Sequence, residues 1–135
     1  MIRAVIDTNV FVSGIMSPKG PTAKIIELIY ENRIIPVITP EIYDEIGRVL
    51  KYPKLKLQPH SVEKVLVFLK FKSVKHKKIH EDLSGIPEDD KKFAAVAIGS
   101  GTGIIITGNL RHFKTISNLM KVITPSEFLQ RYFPE

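Results

Sequence analysis

Four acidic or amide side chains stand at the ends of structural elements predicted from this sequence. Asp7 closes a predicted strand at 2–6, and Asn109 follows another at 104–107. Asp90 opens a predicted helix, and Glu45 lies at the border of the apolar face of a different helix. Strand ends and helix starts of an α/β sheet converge in the crevice where such folds bind ligands. Because gathered carboxylates repel one another unless a cation separates them, the sequence predicts a hard-metal site.

Each of these residues also has an ordinary structural interpretation. Asp7 and Asp90 are typical of helix starts, where a carboxylate caps the first turn or complements the helix dipole. Glu45 is typical of a salt-bridged surface residue, although at this border it loses hydration unless something pairs it. Asn109 follows a glycine, as turn residues often do. We favour the joint interpretation, because all four residues fall where one crevice would collect them.

Asp89 is the alternative to Asp90 as the acid that enters the site. Asp90 has apolar neighbours at i+3, i+4 and i+7, so its side chain is expected to face the sheet. Asp89 has such neighbours only at i+4 and i+7. The pattern therefore favours Asp90 and leaves Asp89 as the second choice.

The elements that must position these residues alternate between strand and helix. This order predicts an α/β fold, a three-layer sandwich with a central, mostly parallel sheet of 4–5 strands flanked by helices. No repeat or linker divides the chain, so residues 1–135 are predicted to form one domain. The predicted strands cover 2–6, 34–38, 104–107 and 122–123, and the predicted helices cover 9–15, 21–32, 40–50, a segment capped by Ser61, 87–98 and 125–133. Residues 72–85 are expected to be a polar loop or a frayed helix end.

Composition excludes several classes of protein. The chain has 135 residues, of which 44% are hydrophobic and 25% charged, as is usual for a globular domain. It has no cysteine, which excludes disulfide frameworks, thiolate zinc sites and cysteine nucleophiles. No apolar run approaches the roughly 18 residues of a membrane helix, and no export signal is evident. We therefore expect a cytoplasmic protein with no membrane partner.

The positive charge is concentrated in the middle third of the chain. Net charge is +6 and the sequence pI is about 9.6. A surface of solvated lysines would explain this balance, but the clustering also suits a patch that follows a phosphate backbone. The lysines predicted to bind RNA are Lys51, Lys54, Lys70, Lys72, Lys75, Lys77 and Lys78. The four histidines lack zinc spacing and are assigned no role in the site.

The motifs around the four residues resemble those of PIN-domain ribonucleases. The resemblance rests on Asp7-Thr8-Asn9, Glu45 in the 40–50 helix, Asp90 leading 91–94, and Thr107-Gly108-Asn109. It is strongest with the branch that contains toxin components of toxin–antitoxin pairs (VapC-like). It implies a central parallel sheet, cleavage of single-stranded RNA that depends on Mg²⁺ or Mn²⁺, a small antitoxin protein as partner, and a homodimer or higher homo-oligomer.

The resemblance also implies roles for individual residues. Asp7, Glu45 and Asp90 would form the acidic triad: Asp7 and Asp90 bind the metal, and Glu45 ligates it or orients the attacking water. Asn109 departs from the aspartate found in many members, which implies one firmly held metal and a second recruited by RNA. Asn109 would join the catalytic residues and, with Thr107, position water or phosphate. Asn9 and Ser13 would lie beside the site.

We predict an endoribonuclease on these grounds. The alternative is a non-catalytic RNA- or protein-binding module that keeps an acidic pocket for structure. A third possibility is a phosphotransfer domain with Asp7 as the phosphorylated residue.

Overall fold

A computed structural model describes residues 1–72 and 81–134 of the chain. Within these residues, four strands form one sheet: β1 (Ile2–Ile6), β2 (Ile34–Pro36), β3 (Ile104–Ile106) and β4 (Lys121–Ile123). Their order is β2-β1-β3-β4, and every pairing is parallel. The last strand lies at an edge of the sheet.

The two central strands are buried along their apolar runs. Ala4, Val5 and Ile6 of β1 are at most 1% exposed, and Ile105 and Ile106 of β3 are fully buried. Consecutive buried residues of this kind are typical of a parallel strand that helices cover on both faces.

The register brings the carboxyl ends of β1 and β3 together. Ile6 pairs with Ile106, so the residues that follow them, Asp7 and Thr107, are neighbours. The backbone N–H of Asp7 donates to the carbonyl of Ile106 at 3.0 Å. This end of the sheet is where the crevice is predicted to lie.

Helices flank the sheet, and the predicted fold class is confirmed. They are α1 (Thr8–Met16), α2 (Pro21–Tyr30), α3 (Pro40–Leu50), α4 (Pro59–Leu69), α5 (Lys91–Gly99) and α6 (Pro125–Tyr132). α5 packs against β1 and β3, and α3 contacts α1, α4 and α5. Shorter 3₁₀ segments cover Pro53–Leu55, Glu88–Asp90 and Leu110–Ile116. Proline begins four of the α-helices, where its fixed φ suits the first turn and its missing N–H leaves no bond unmade.

Three predicted helix boundaries differ from the structure for local reasons. α5 begins at Lys91 rather than at Pro87, because Glu88–Asp90 form a 3₁₀ turn.

The other two are the end of α2 and the start of α4. α2 ends at Tyr30 rather than near Asn32, because Asn32 has a φ of 58°, the left-handed conformation that asparagine adopts more readily than most residues. α4 begins at Pro59, so Ser61 does not cap it. The Ser61 hydroxyl instead donates to the side-chain carbonyl of Gln58 at 3.1 Å.

Most of the predicted polar loop at 72–85 lies outside the described residues, which resume at Glu81. Lys75, Lys77 and Lys78 lie outside them as well, as do His76 and His80. Among the helices of residues 1–72 and 81–134, none combines the length and the apolar character that crossing a membrane requires.

Candidate active site

Asp7 is a buried carboxylate held by neutral donors. It is 3% exposed and caps α1 from an extended backbone conformation. The Thr107 hydroxyl donates to Asp7 Oδ2 at 2.8 Å, and the N–H of Asn9 approaches Oδ1 at 3.5 Å. Asp7 therefore both caps α1 and stands at the carboxyl end of β1.

The pKa of the Asp7 carboxyl is shifted by its burial and by its neighbours. Burial raises the pKa of this carboxyl above its ordinary value, and the hydrogen bond from Thr107 opposes that rise. The negative charges of Asp90 and, more weakly, Glu45 raise the pKa further. Asp90 and Glu45 are thus near enough to Asp7 for their charges to act on it.

Glu45 of α3 has partners on both carboxylate oxygens. Its side chain is 14% exposed. The ammonium of Lys92 lies 2.6 Å from Oε1, and the hydroxyl of Thr8 donates to Oε2. The expectation that a glutamate at this border needs a pairing group is met by Lys92.

Asp90 faces inward and Asp89 does not. The Asp90 side chain is 15% exposed, and its Oδ2 lies 2.7 Å from Nδ1 of His112. Asp89 is exposed to solvent. The difference follows from the 3₁₀ turn at Glu88–Asp90, whose last residue leads directly into α5.

Thr107 links Asp7 to the segment after β3. Its hydroxyl is fully buried, donates to Asp7 and accepts the N–H of Asn109 at 3.0 Å. Asn109 is half-buried and begins the 3₁₀ segment Leu110–Ile116, in keeping with a turn residue. That segment contains His112, which contacts Asp90.

The remaining predicted neighbours differ in placement. Asn9 is exposed and reaches Asp7 through its backbone N–H. The Ser13 hydroxyl accepts a hydrogen bond from Thr22 of α2 at 3.2 Å, so its bond is made with the neighbouring helix rather than with the carboxylates.

The described lysines of the predicted RNA patch lie at helix ends. Lys51 follows α3, Lys54 lies in the Pro53–Leu55 turn, and Lys70 follows α4, all of them exposed. Lys72 is half-buried, with its ammonium 5.2 Å from the ring centre of Phe68. Lys70 is similarly placed, 5.7 Å from the ring centre of Phe71. Alternating cations and aromatic rings of this kind suit single-stranded nucleic acid.

The donor set suits a hard divalent cation, although its present geometry is not a closed metal cage. Among residues 1–72 and 81–134, no group of three His, Cys, Asp or Glu side chains is close enough to hold one ion. The reason is visible in the pairings: Glu45 is turned to Lys92, and one oxygen of Asp90 is turned to His112. Asp7 has no cationic partner within ion-pair distance in the described chain, so the unneutralised charge lies beside Asp7 and Asp90.

Sequence reasoning missed three members of this cluster: Thr8, Lys92 and His112. Each follows a predicted site residue closely in the chain. Their partners are far away in sequence, since Thr8 and Glu45 are 37 residues apart and His112 and Asp90 are 22 apart. The signal that could have identified them is that each is a polar residue within three positions of a predicted site residue.

A family model described as PIN domain matches residues 3–111, a span that includes every acid of the cluster. The chain belongs to the PIN-domain family. PIN domains are generally nucleases, so the match supports a nuclease-like activity.

One relative extends the similarity over nearly the whole PIN domain. "Uncharacterized protein MJ1680" of Methanocaldococcus jannaschii is 36% identical over 143 aligned residues, which cover 97% of this chain and 92% of that protein. No solved structure matches the chain significantly.

Proposed function

We propose that this PIN domain is a metal-dependent endoribonuclease that hydrolyses phosphodiester bonds of single-stranded RNA. The observation that carries the proposal is the buried Asp7 carboxylate at the end of β1, with Asp90 and Glu45 near enough to raise its pKa. Carboxylates with perturbed pKa values cluster at functional sites. Family membership supports the same class of activity.

Asp7 and Asp90 would hold the ion, which we propose to be Mg²⁺ or Mn²⁺. A divalent ion in such a place neutralises charge on the phosphodiester and lowers the pKa of the attacking water. Thr107 keeps Asp7 oriented through a 2.8 Å hydrogen bond, and Glu45 either ligates the ion or orients the water. Asn109 brings an amide instead of a third aspartate to the strand ends, which favours one firmly held ion and a second recruited by RNA.

The lysine patch would bind the RNA strand. Lys70 and Lys72 combine an ammonium group with a neighbouring aromatic ring, so they can contact both phosphate and base without reading sequence. The other proposed phosphate contacts are Lys51, Lys54, Lys75, Lys77 and Lys78.

Substitution of Asp7 by asparagine tests the assignment of the site. Asp7→Asn keeps the size of the side chain and its capping ability but removes the charge that holds the ion. We expect RNA cleavage to fall at least about 100-fold, the order of loss associated with removal of one catalytic group. The measurement is cleavage of a labelled single-stranded RNA by purified protein. Wild-type activity in this variant would refute the proposal.

A matched pair of aspartates controls for general effects of charge. Asp90→Asn should also abolish cleavage, whereas Asp89→Asn, at the adjacent exposed position, should leave the rate close to that of the wild type. Equal losses in the two variants would contradict the assignment of Asp90.

Metal removal tests the cofactor. Treatment with EDTA should stop cleavage, and Mn²⁺ or Mg²⁺ should restore it, because the proposed chemistry needs the cation. Cleavage that persists in EDTA would exclude this mechanism.

A non-catalytic RNA- or protein-binding module is the second candidate. The observation in its favour is the Lys92–Glu45 pair, in which a cation of the protein itself already neutralises one acid of the cluster. This candidate predicts RNA binding without cleavage and no rise in melting temperature on addition of Mn²⁺.

The role of the protein as the toxin of a toxin–antitoxin pair stays a prediction. A toxin of a toxin–antitoxin pair should arrest growth when it is expressed without its antitoxin, and Asp7→Asn should relieve that arrest. A housekeeping ribonuclease should leave growth unaffected at the same level of expression. The homodimer or higher homo-oligomer and the cytoplasmic location also stay predictions, and light scattering of the purified protein would test the first.

A further inference from the structure

A lysine contacts Glu45, whereas Asp90 contacts the His112 ring and Asp7 accepts hydrogen bonds from neutral groups. Lys92 Nζ lies 2.6 Å from Glu45 Oε1, and the side chains of the pair are 15% and 14% exposed. The second oxygen of Glu45 accepts the Thr8 hydroxyl. An ion that bound Glu45 would lie beside the Lys92 ammonium, whose like charge would repel it.

Lys92 is also fixed from its own side. Its ammonium donates to the carbonyl of Asp89, so it joins the start of α5 to Glu45 on α3. Displacement of a buried ammonium from its carboxylate would leave an uncompensated charge in a poorly solvated place. The pair therefore resists the rearrangement that a three-carboxylate metal site would demand.

Asp7 and Asp90 are the acids that remain available. Asp7 accepts hydrogen bonds from neutral groups, and Asp90 contacts His112 through one oxygen only. Asp7 directly follows β1, and Asp90 leads into α5, the helix that packs against β1. The charge that a divalent cation would relieve thus belongs to these two residues.

We propose that Asp7 and Asp90 alone supply the protein ligands of the metal, and that Lys92, held by Glu45, is a second, built-in positive charge of the site. This inference rests on the proposed function and removes one of the roles left for Glu45 there, that of metal ligand. Glu45 is then a positioning residue for Lys92 rather than a metal ligand. Two carboxylates with several waters suffice for Mg²⁺ or Mn²⁺.

Calorimetric titration of the full chain with Mn²⁺, in the absence of RNA, tests the proposal without reliance on activity. The wild type should bind one ion. Asp7→Asn should weaken binding by about tenfold or more, since even outer residues of metal sites have effects of this size. Glu45→Gln should keep the wild-type stoichiometry and lose less affinity than Asp7→Asn, since the only effect expected is repulsion of the ion by the unpaired Lys92. A loss in Glu45→Gln equal to that in Asp7→Asn would overturn the proposal.

Lys92→Met provides the converse test. Removal of the ammonium frees the Glu45 carboxylate, so Mn²⁺ should bind more tightly or a second ion should appear, while Lys92→Arg should behave as the wild type. Unchanged binding in Lys92→Met would count against Lys92 as the cation that excludes metal from Glu45. The double variant Glu45→Gln with Lys92→Met carries no unpaired buried charge, and it should still bind one ion. Loss of Mn²⁺ binding in the folded double variant would also overturn the proposal.

The exposed ion pair between Glu88 and Lys91 supplies a control for the Mn²⁺ titration. Glu88→Gln should leave Mn²⁺ binding unchanged, because Glu88 is 86% exposed and pairs with Lys91 outside the cluster. A wild type that binds no Mn²⁺, or an Asp7→Asn variant that binds it normally, would refute the proposed function itself. Normal wild-type binding that both Asp7→Asn and Glu45→Gln abolish would refute only the two-carboxylate inference.

Discussion

Two consecutive lysines at the start of α5 form ion pairs in opposite environments. Lys91 reaches back to Glu88 at 3.1 Å, with the two side chains 34% and 86% exposed. Lys92 contacts Glu45 of α3 at 2.6 Å, with the two side chains only 15% and 14% exposed. The chemical groups are the same, and the surroundings differ.

The comparison shows why one pair belongs to the site and the other does not. Water screens the Lys91–Glu88 pair, so either partner can be lost at little cost. The Lys92–Glu45 pair has lost most of its hydration, so each charge depends on the other. Lys92 faces inward from α5, so its positive charge lies within the acidic cluster, whereas the charge of Lys91 lies in solvent.

The largest effect is expected on loss of the buried cation. Lys92→Met should lower the free energy of unfolding by about 3 kcal/mol, the lower end of the range for a buried pair that loses one partner, because some exposure remains. Urea denaturation in the presence of EDTA would measure the change.

A second substitution sharpens this result. Glu45→Gln added to Lys92→Met removes the unpaired charge, so most of the lost stability should return. A double variant as unstable as the sum of its single variants would show that the pair is not energetically coupled.

The next effect has the opposite sign and concerns Asp7, which is buried like Glu45 but has no cation in contact. Asp7→Asn should raise the free energy of unfolding in EDTA by about 0.5–2 kcal/mol, the usual size of a stabilising change. The reason is the burial of Asp7 and its repulsion by Asp90 and Glu45. The measurement is again urea denaturation, and a clear loss of stability would contradict the expectation.

The pH dependence of this gain follows from the raised pKa. In the folded state Asp7 keeps its proton to higher pH than in the unfolded state, so its ionisation destabilises the fold as the pH rises. The advantage of Asp7→Asn should therefore be smallest well below the pKa of an unfolded aspartate, about 3.9, where the carboxyl is protonated in both states. It should grow as the pH rises through the raised pKa and then level off. A gain that shrinks with rising pH would contradict the direction of the shift.

The smallest effect is expected at the exposed pair. Lys91→Met should change the free energy of unfolding by no more than about 0.5 kcal/mol, as is usual for exposed positions. The same denaturation assay would measure it. A loss as large as that in Lys92→Met would break the distinction between the two lysines.

The elements and the acids could be predicted because their signals are local. The apolar runs of β1 and β3 indicated buried parallel strands, and the apolar neighbours of Asp90 indicated which of two aspartates turns inward. The residue Asp7 stood out because a carboxylate directly after such a strand falls at the ligand-binding end of an α/β sheet.

The pairings within the cluster could not be predicted in the same way. Lys92 appears in the sequence as one of two adjacent lysines on a helix, and only the packing of α5 against α3 shows which one meets Glu45. His112 depends on the 3₁₀ segment after Asn109, which carries no strong periodic pattern. The start of α4 was misplaced because a serine resembled a cap where Pro59 already began the helix.

The place of β1 in the strand order has a consequence for motion. β1 is paired on both sides, and the amide that follows it, that of Asp7, is bonded to Ile106. When a sheet opens locally, its outer strands detach first, and amides in the middle exchange with deuterium only in rarer, larger openings. The Asp7 amide, bonded to β3 next to the central strand, is therefore expected to exchange more slowly than the amides of the edge strand β4.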